Sequence, residues 1–294
     1  MGMSFAYGAS DDTQSIATLE KALDLGINFW DTADMYGNGA NEVLLSKVLE
    51  KHRDKVFLAT KFGFRYKEDN LNPQNSLESY IDGSPEWIKV AVENSLKRLN
   101  TDVIDLYYAH RIDPSVPVED TIGAMADLVA AGKVGHIGLS EVSVADIERA
   151  RSVHTISSVQ SELSIWTSDN VDNGVLQYCT DNGIGFLAYS PLGRGFLTGT
   201  VTANDIAASD FRSGNPRFSA EAIAANQDKR LVYVLGPDNV VQPRNIRPGP
   251  KIDGYRVVRD GLKGDETIVI VGLTRVRPGA KVTPEVKELP PVRE

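Results

Sequence analysis

The chain has 294 residues, of which 41% are hydrophobic and 24% charged, with one cysteine and a net charge of −9. That balance excludes a mainly disordered, collagen-like or disulfide-stapled chain, and no apolar run approaches the ~18–20 residues of a membrane span. The acidic total argues against a nucleic-acid-binding surface, which needs a basic face, and the N-terminal residues show neither a basic n-region nor an apolar h-region, so the cytoplasm is the expected compartment.

In chain order, short apolar runs alternate with amphipathic stretches. The runs are Ile27–Trp30, Val56–Thr60, Val103–Tyr108, Val134–Leu139, Ile156–Gln160 and Ile184–Ala188, with a possible stub at Met1–Ser4. Each has the length and two-sided apolar character of a buried parallel strand. Between them, Asp11–Leu25 places Ile16, Leu19 and Leu23 on one helical face. Ser84-Pro85-Glu86 reads as an N-cap with proline at the first helical position of a helix through Leu99. Pro117–Ala131 and Val144–Ser152 read as further helices, with Gly132 as a C-cap. Strand–helix alternation with short loops predicts a parallel α/β fold. Asn70–Asp82 is polar and irregular and predicts a variable loop.

The composition shifts near residue 227. Residues 1–227 carry 18 Lys+Arg against 31 Asp+Glu, a net of −13, whereas residues 228–294 carry 13 against 9, a net of +4. The second segment holds eight of the 14 prolines. It reads as short strands, Arg230–Leu235, Val240–Ile246, Tyr255–Arg259, Thr267–Val271 and Lys281–Val286, divided by Gly and Pro turns. The expectation is two domains, residues 1–226 and a small all-β domain over residues 228–294.

Four polar residues stand where parallel α/β enzymes gather their chemistry. Asp31, Lys61 and His110 end three successive predicted strands, and Tyr36 lies in the loop after Asp31. In a parallel barrel the C-terminal strand ends converge on one face. Singly, each has an ordinary structural explanation as a cap, a packed aromatic or a satisfied histidine; together on matching strand ends they point to one pocket. Cys179 reads as helix packing, and His110 with Asp113 lacks a third ligand at metal spacing, so no metal site is expected.

These residues carry a family resemblance. Asp31-Thr32-Ala33-Asp34-Met35-Tyr36-Gly37, Ala59-Thr60-Lys61-Phe62-Gly63, Ile104 to Arg111, Gly132 to Glu141, Gln160 to Ser164 and Ala188 to Gly193 occur in order. Residues 1–226 thus resemble the aldo-keto reductases. The resemblance implies a (β/α)8 TIM barrel, here lacking most of strand 1 and strand 8. It also implies NADPH-dependent reduction of a small-molecule aldehyde or ketone, with Tyr36 as general acid. Lys61 would favour the phenolate, Asp31 would orient Lys61, and His110 would pose the carbonyl oxygen. The resemblance further places Ser140, Glu141 and Gln160 at the nicotinamide end of NADP(H). Tyr189 would stack on the ring, and Ser190, Leu192, Gly193 and Arg194 would line the pyrophosphate. Residues 228–294, through Leu231–Leu235, Gly261–Val269 and Gly272–Gly279, resemble the membrane-proximal domain of periplasmic adaptor subunits of efflux pumps. The alternative function is a non-catalytic or weakly cofactor-binding fusion of a reductase fragment with an adaptor fragment, with Arg230–Leu235 filling part of the place of the eighth strand.

Overall fold

Alternation of side-chain direction along each strand decides what the two faces of the main sheet become. The structure is a computed structural model describing residues 1–4, 6–66, 79–199, 201, 206, 210–215, 218, 230–252, 255–269 and 276–286. Contacts divide the chain into two units, Met1–Val201 and Thr202–Glu294. The expected boundary at 226–228 and residues 70–78 of the expected variable loop lie outside the described residues, as do residues 270–275 within the predicted Thr267–Val271 strand and the Gly272–Gly279 motif.

The first unit opens with a turn, in which Ser4 N–H donates to the Met1 carbonyl at 3.0 Å, where a strand stub was expected. Helix α1 (Asp12–Asp24) is capped by the Asp11 carboxylate on Gln14 N–H. Strand β1 (Phe29–Asp31) begins later than predicted, because Ile27 is used to end the helix. Its N–H returns to the Ala22 carbonyl at 2.9 Å, with Gly26 at φ 79°, a left-handed closure. Helix α2 (Ala40–His52) follows. It is not among the predicted helices: its N-cap is Gly39, which offers no side-chain acceptor to mark the start.

Then come β2 (Phe57–Phe62), the small antiparallel pair β3 (Phe64–Tyr66) and β4 (Ser79–Ile81), and α3 (Pro85–Leu99), capped by Ser84 as predicted. Strand β5 (Ile104–Ala109), α4 (Val118–Ala130), β6 (Val134–Ser140), α5 (Val144–Arg151) and β7 (Ser158–Glu162) continue the alternation. Two short helices, α6 (Asp169–Asp172) and α7 (Val175–Asp181), precede β8 (Gly185–Tyr189). The six main strands form one all-parallel sheet in the order β1-β2-β5-β6-β7-β8, a barrel-like parallel sheet covered by helices.

One face of that sheet is apolar and helix-covered. Leu58 and Phe62 of β2, Tyr107 of β5, Ile137 and Leu139 of β6 and Val159 of β7 pack with Ile88, Val92 and Leu99 of α3 and Ile122 and Met125 of α4. The residues between them point the other way, where Phe57, Ala59, Leu106 and Tyr108 form a small cluster at the N-terminal part of the strands. Gly138 of β6 is required there. A Cβ at that position would overlap the Tyr108 ring, which lies across the sheet so that its hydroxyl and the Ser158 hydroxyl share a hydrogen bond at 2.8 Å. Cys179 of α7 is buried in the helix-side core, as its predicted packing role requires.

A polar island interrupts the helix-covered side. Glu42 of α2, fully buried, accepts from Thr60 Oγ1 at 2.6 Å and from Arg98 Nε of α3 at 2.6 Å. Nearby, one carboxyl oxygen of Asp34 is buried without a hydrogen-bond partner. Burial, reinforced by the Glu42 charge, pushes the Asp34 carboxyl up to about 8.

In the second unit, β9 (Arg230–Leu235), β10 (Val241–Ile252) and β11 (Tyr255–Asp260) form an antiparallel sheet in the order β11-β10-β9. Strand β9, expected to fill part of the place of an eighth strand, pairs with β10 in this sheet. Strand β10 runs beyond its predicted end at Ile246, with register shifts at Arg247/Pro248 and Pro248/Lys251, where proline withholds a ladder donor. Among the described residues, the strands expected at Thr267–Val271 and Lys281–Val286 are represented by isolated bridges, Val234 to Ile268 and Val240 to Lys281.

Two measurements check this packing. Ile122 is fully buried, so Ile122→Ala should cost about 2–5 kcal/mol in urea unfolding, whereas Val90→Ala, at a half-exposed site, should stay within about 0.5 kcal/mol. Asp34 holds a proton in the fold that the unfolded chain releases. Stability should therefore fall as pH rises between its ordinary 3.8 and about 8, and Asp34→Asn should flatten that slope in unfolding curves taken across the range.

Candidate active site

The same alternation that buries one face sets the candidate residues on the other. Asp31 follows Phe29 on β1, Lys61 follows Phe57 and Ala59 on β2, and Ser140, Gln160 and Tyr189 hold matching positions near the C-terminal ends of β6, β7 and β8. His110 directly follows β5, held against β2 by its N–H on the Phe62 carbonyl at 2.9 Å. Tyr36 lies in the turn between β1 and α2, followed by Gly37, Asn38 and Gly39, all at positive φ. The structure thus brings Asp31, Tyr36, Lys61 and His110 together.

Lys61 is the centre. Its side chain is 0% exposed. The ammonium donates to Asp31 Oδ1 at 2.5 Å, to the Thr32 carbonyl at 2.7 Å and to the Tyr36 hydroxyl at 3.4 Å. Burial alone would depress its pKa, but the Asp31 charge and Tyr36 outweigh it, so Lys61 stays protonated above its ordinary value. Asp31 is itself fixed from across the sheet, where Gln160 Nε2 donates to its second oxygen at 2.9 Å. His110 stands edge-on to the Tyr36 ring, with centroids 6.0 Å apart, and edge-on to Phe64 at 5.0 Å. Burial, with help from the Lys61 and Arg111 charges, holds its pKa well below the ordinary value, and Nδ1 has no hydrogen-bond partner. The imidazole is therefore neutral at pH 7.

The remaining candidates form a second group around Glu162, a nearly fully buried carboxylate at the end of β7. Glu141 adopts φ 56° after β6, and its carboxylate accepts the Glu162 N–H at 2.8 Å. Arg194 Nη2 pairs with Glu162 Oε2 at 3.1 Å, and Thr167 Oγ1 donates to Oε1 at 3.1 Å. Tyr189 is half-buried beside Glu141, and desolvation first, then that charge, keeps its hydroxyl protonated. Ser190, at φ 51°, turns the chain after β8, and its carbonyl accepts the Gly193 N–H at 2.8 Å. Gly193 is buried. The Leu192 side chain is 57% exposed, and its carbonyl accepts from Gly195 and Leu197. Ser140 Oγ accepts from Arg111 Nη1 at 3.2 Å, so Ser140 and Gln160 are each tied to a protein partner.

Four residues at this site had no role in the sequence analysis. Phe64 adjoins a quoted motif and Arg111 ends one, so both could have been found by proximity. Glu162 lies inside a quoted motif, but nothing in its spacing marks it as the partner of Arg194. Asn41 lies in the first turn of α2, whose start the sequence does not signal. Among the described residues no three His, Cys, Asp or Glu side chains converge as a metal site, and no helix is long and apolar enough to cross a membrane.

Known proteins share this arrangement of sequence and fold. The profile of the Aldo/keto reductase family matches residues 1–231. The chain is 38% identical over 282 residues to "Aldo-keto reductase yakc [NADP(+)]" of Schizosaccharomyces pombe, covering 94% of this chain and 79% of that protein. It is 41% identical over 230 residues to "Probable aldo-keto reductase 1" of Glycine max, covering 78% of this chain and 64% of that protein. Among solved structures, the glycerol dehydrogenase AKR11B4 from Gluconobacter oxydans superposes with a TM-score of 0.66 at 29% identity, over 75% of this chain and 67% of that one. An alignment covering 94% of the chain necessarily runs into residues 228–294. The chain belongs to the aldo/keto reductase family.

Proposed function

We propose that the chain reduces a small-molecule aldehyde or ketone to the alcohol at the expense of NADPH, with Tyr36 as proton donor. The observation that carries this reading is the buried Lys61 ammonium, ion-paired to Asp31 and 3.4 Å from the Tyr36 hydroxyl. Carbonyl reduction builds negative charge on an oxygen that must then take a proton. A tyrosine hydroxyl beside a fixed cation can release that proton, because the cation stabilises the phenolate left behind. Asp31 keeps Lys61 charged and aimed. The neutral His110 imidazole, whose Nδ1 lacks a protein partner, can orient the carbonyl without adding charge.

The residues present fit a nicotinamide cofactor by their chemistry. Ser140 and Gln160 offer neutral polar groups suited to a carboxamide, and Tyr189 offers an aromatic face. Arg194 offers a cation at a turn whose left-handed residues, Ser190, Gly193 and Arg194, bring backbone groups to one side. Glu141 holds this turn's neighbour in place through Glu162. When bound, the cofactor supplies the hydride. NADP rather than NAD is supported by the name of the Schizosaccharomyces pombe relative. The family match over residues 1–231 spans the whole first unit, which holds Asp31, Tyr36, Lys61 and His110, and so supports assigning the chemistry there; the efflux-adaptor resemblance carries no functional assignment.

Two experiments test this. Trp30, Trp87 and Trp166 should report saturable NADPH binding as a fluorescence change in the full chain. Tyr36→Phe, which removes only the donor oxygen, should lower kcat for p-nitrobenzaldehyde reduction by roughly 10²–10⁴-fold while leaving that binding curve in place. Unchanged NADPH oxidation in the variant would overturn the assignment, and binding without turnover in the wild type would replace reduction by cofactor sensing.

A further inference from the structure

The turn that carries Tyr36 is closed by a ring of four hydrogen bonds. Lys61 Nζ donates to the Tyr36 hydroxyl at 3.4 Å and to the Thr32 carbonyl at 2.7 Å. Thr32 Oγ1 donates to Asn41 Oδ1 at 2.8 Å, and Asn41 N–H donates to the Tyr36 carbonyl at 3.1 Å. Asn41 Nδ2 also donates to Ser4 Oγ at 2.9 Å. Thr32 is fully buried and Asn41 is 2% exposed, whereas Tyr36 itself is only half-buried.

Three features make the Thr32–Asn41 bond the deciding link. The three residues after Tyr36 all hold positive φ, at 62°, 51° and 89°, so the turn is not pinned by ordinary backbone preference. The Thr32 carbonyl is one of the three protein acceptors of the Lys61 ammonium, and the Thr32 hydroxyl reaches the far end of the turn. The bond is neutral and buried, so neither group can exchange its partner for water without cost. Its geometry is therefore carried to both ends of the Tyr36–Lys61 contact. We infer that Thr32 and Asn41 are positioning residues, and that the single hydrogen bond between their side chains sets the Tyr36 hydroxyl within reach of the Lys61 ammonium. This rests on the reductase reading above.

The test compares Thr32→Val, Thr32→Ser, Asn41→Leu and the Thr32→Val/Asn41→Leu double variant in the full chain. Each is assayed with NADPH and p-nitrobenzaldehyde. Thr32→Val keeps the shape and removes the donor; Asn41→Leu removes the acceptor of the same bond. Each should lower kcat about 10–100-fold with aldehyde KM and NADPH Kd within about twofold. The double variant should be no worse than the worse single variant, because one bond is lost only once. Thr32→Ser should recover most of the rate lost in Thr32→Val.

A Thr32→Val enzyme within about twofold of wild-type kcat, losses that multiply in the double variant, or a Thr32→Ser enzyme no better than Thr32→Val would each overturn the inference. If both single variants fail to fold in thermal melts, the link is structural and the inference also falls. The reductase reading fails separately, if Tyr36→Phe keeps full activity or the wild type does not turn over. In that case the Tyr36 Cζ resonance of the carbon-13 tyrosine-labelled chain, assigned with Tyr36→Phe, decides. A resonance displaced in Thr32→Val and restored in Thr32→Ser supports the positioning link; one unmoved in Thr32→Val overturns it.

Discussion

A fully buried ammonium is the constraint around which the site is built. Moving a charge out of water costs several kcal/mol even after the protein relaxes, and the cost is met only by a well-placed counter-charge and filled hydrogen bonds. Lys61 has both, in the Asp31 carboxylate and the Thr32 carbonyl. Much of the local fold follows from that need. Strand β1 pairs with β2 so that Asp31 stands opposite Ala59, two residues before Lys61 on the same face. The chain then stays against β2, with Thr32 and Asp34 donating to the Ala59 and Lys61 carbonyls. This turns the Thr32 carbonyl onto the ammonium and brings Tyr36 back over it. Gln160, four strands away in the sheet order, closes the arrangement by holding the other Asp31 oxygen.

The two faces of the sheet divide the work. The helix-covered face is nearly all aliphatic and aromatic, and burying each such side chain contributes about 1.5–3 kcal/mol. The opposite face trades apolar contact for polar function toward the C-terminal strand ends, and each charge there has a partner. Between the two regions Gly138 leaves room for the Tyr108 ring, whose hydroxyl meets that of Ser158. His110 illustrates the electrostatic consequence. Beside a permanent cation and under Arg111, a buried imidazole is held neutral. The role proposed for it therefore rests on hydrogen bonding and shape rather than on charge.

The strands of the first unit were legible because a buried parallel strand is a short apolar run, and all six appear within a few residues of their predicted bounds. The differences have local causes. Ile27 is apolar but closes a helix. Helix α2 starts on a left-handed glycine and so lacks a polar cap to announce it. In the second unit, the apolar segments at Thr267–Val271 and Lys281–Val286 suggested strands, yet among the described residues each shows one isolated bridge, because a strand also needs a neighbour in register over several residues. For the site, residue types at strand ends pointed to Asp31, Tyr36, Lys61 and His110, which the structure brings together. The pairing of side chains was not legible. Gln160 meets Asp31 across 129 residues, and Arg194 meets Glu162 across 32, through sheet register that no local pattern encodes.

Glu162 shows how such hidden pairings organise the rest of the site. Glu141, Ser190 and Arg194 all hold left-handed backbone conformations that cost L-residues roughly 1–2 kcal/mol each. Such strain persists only where the surroundings over-determine it. Here the Glu141 N–H donates to the Gln160 carbonyl, and its carboxylate takes the Glu162 N–H. The Glu162 carboxylate in turn holds Arg194, while Asn170 donates to the Glu162 carbonyl at 3.0 Å. One buried acid thus ties the ends of β6 and β8 to β7 and fixes two of the three strained residues. The strain sits where the chain must turn sharply off a strand end yet keep its polar groups facing the same side as Lys61. An ordinary loop could leave the strands without strain, but it would not hold those groups in place.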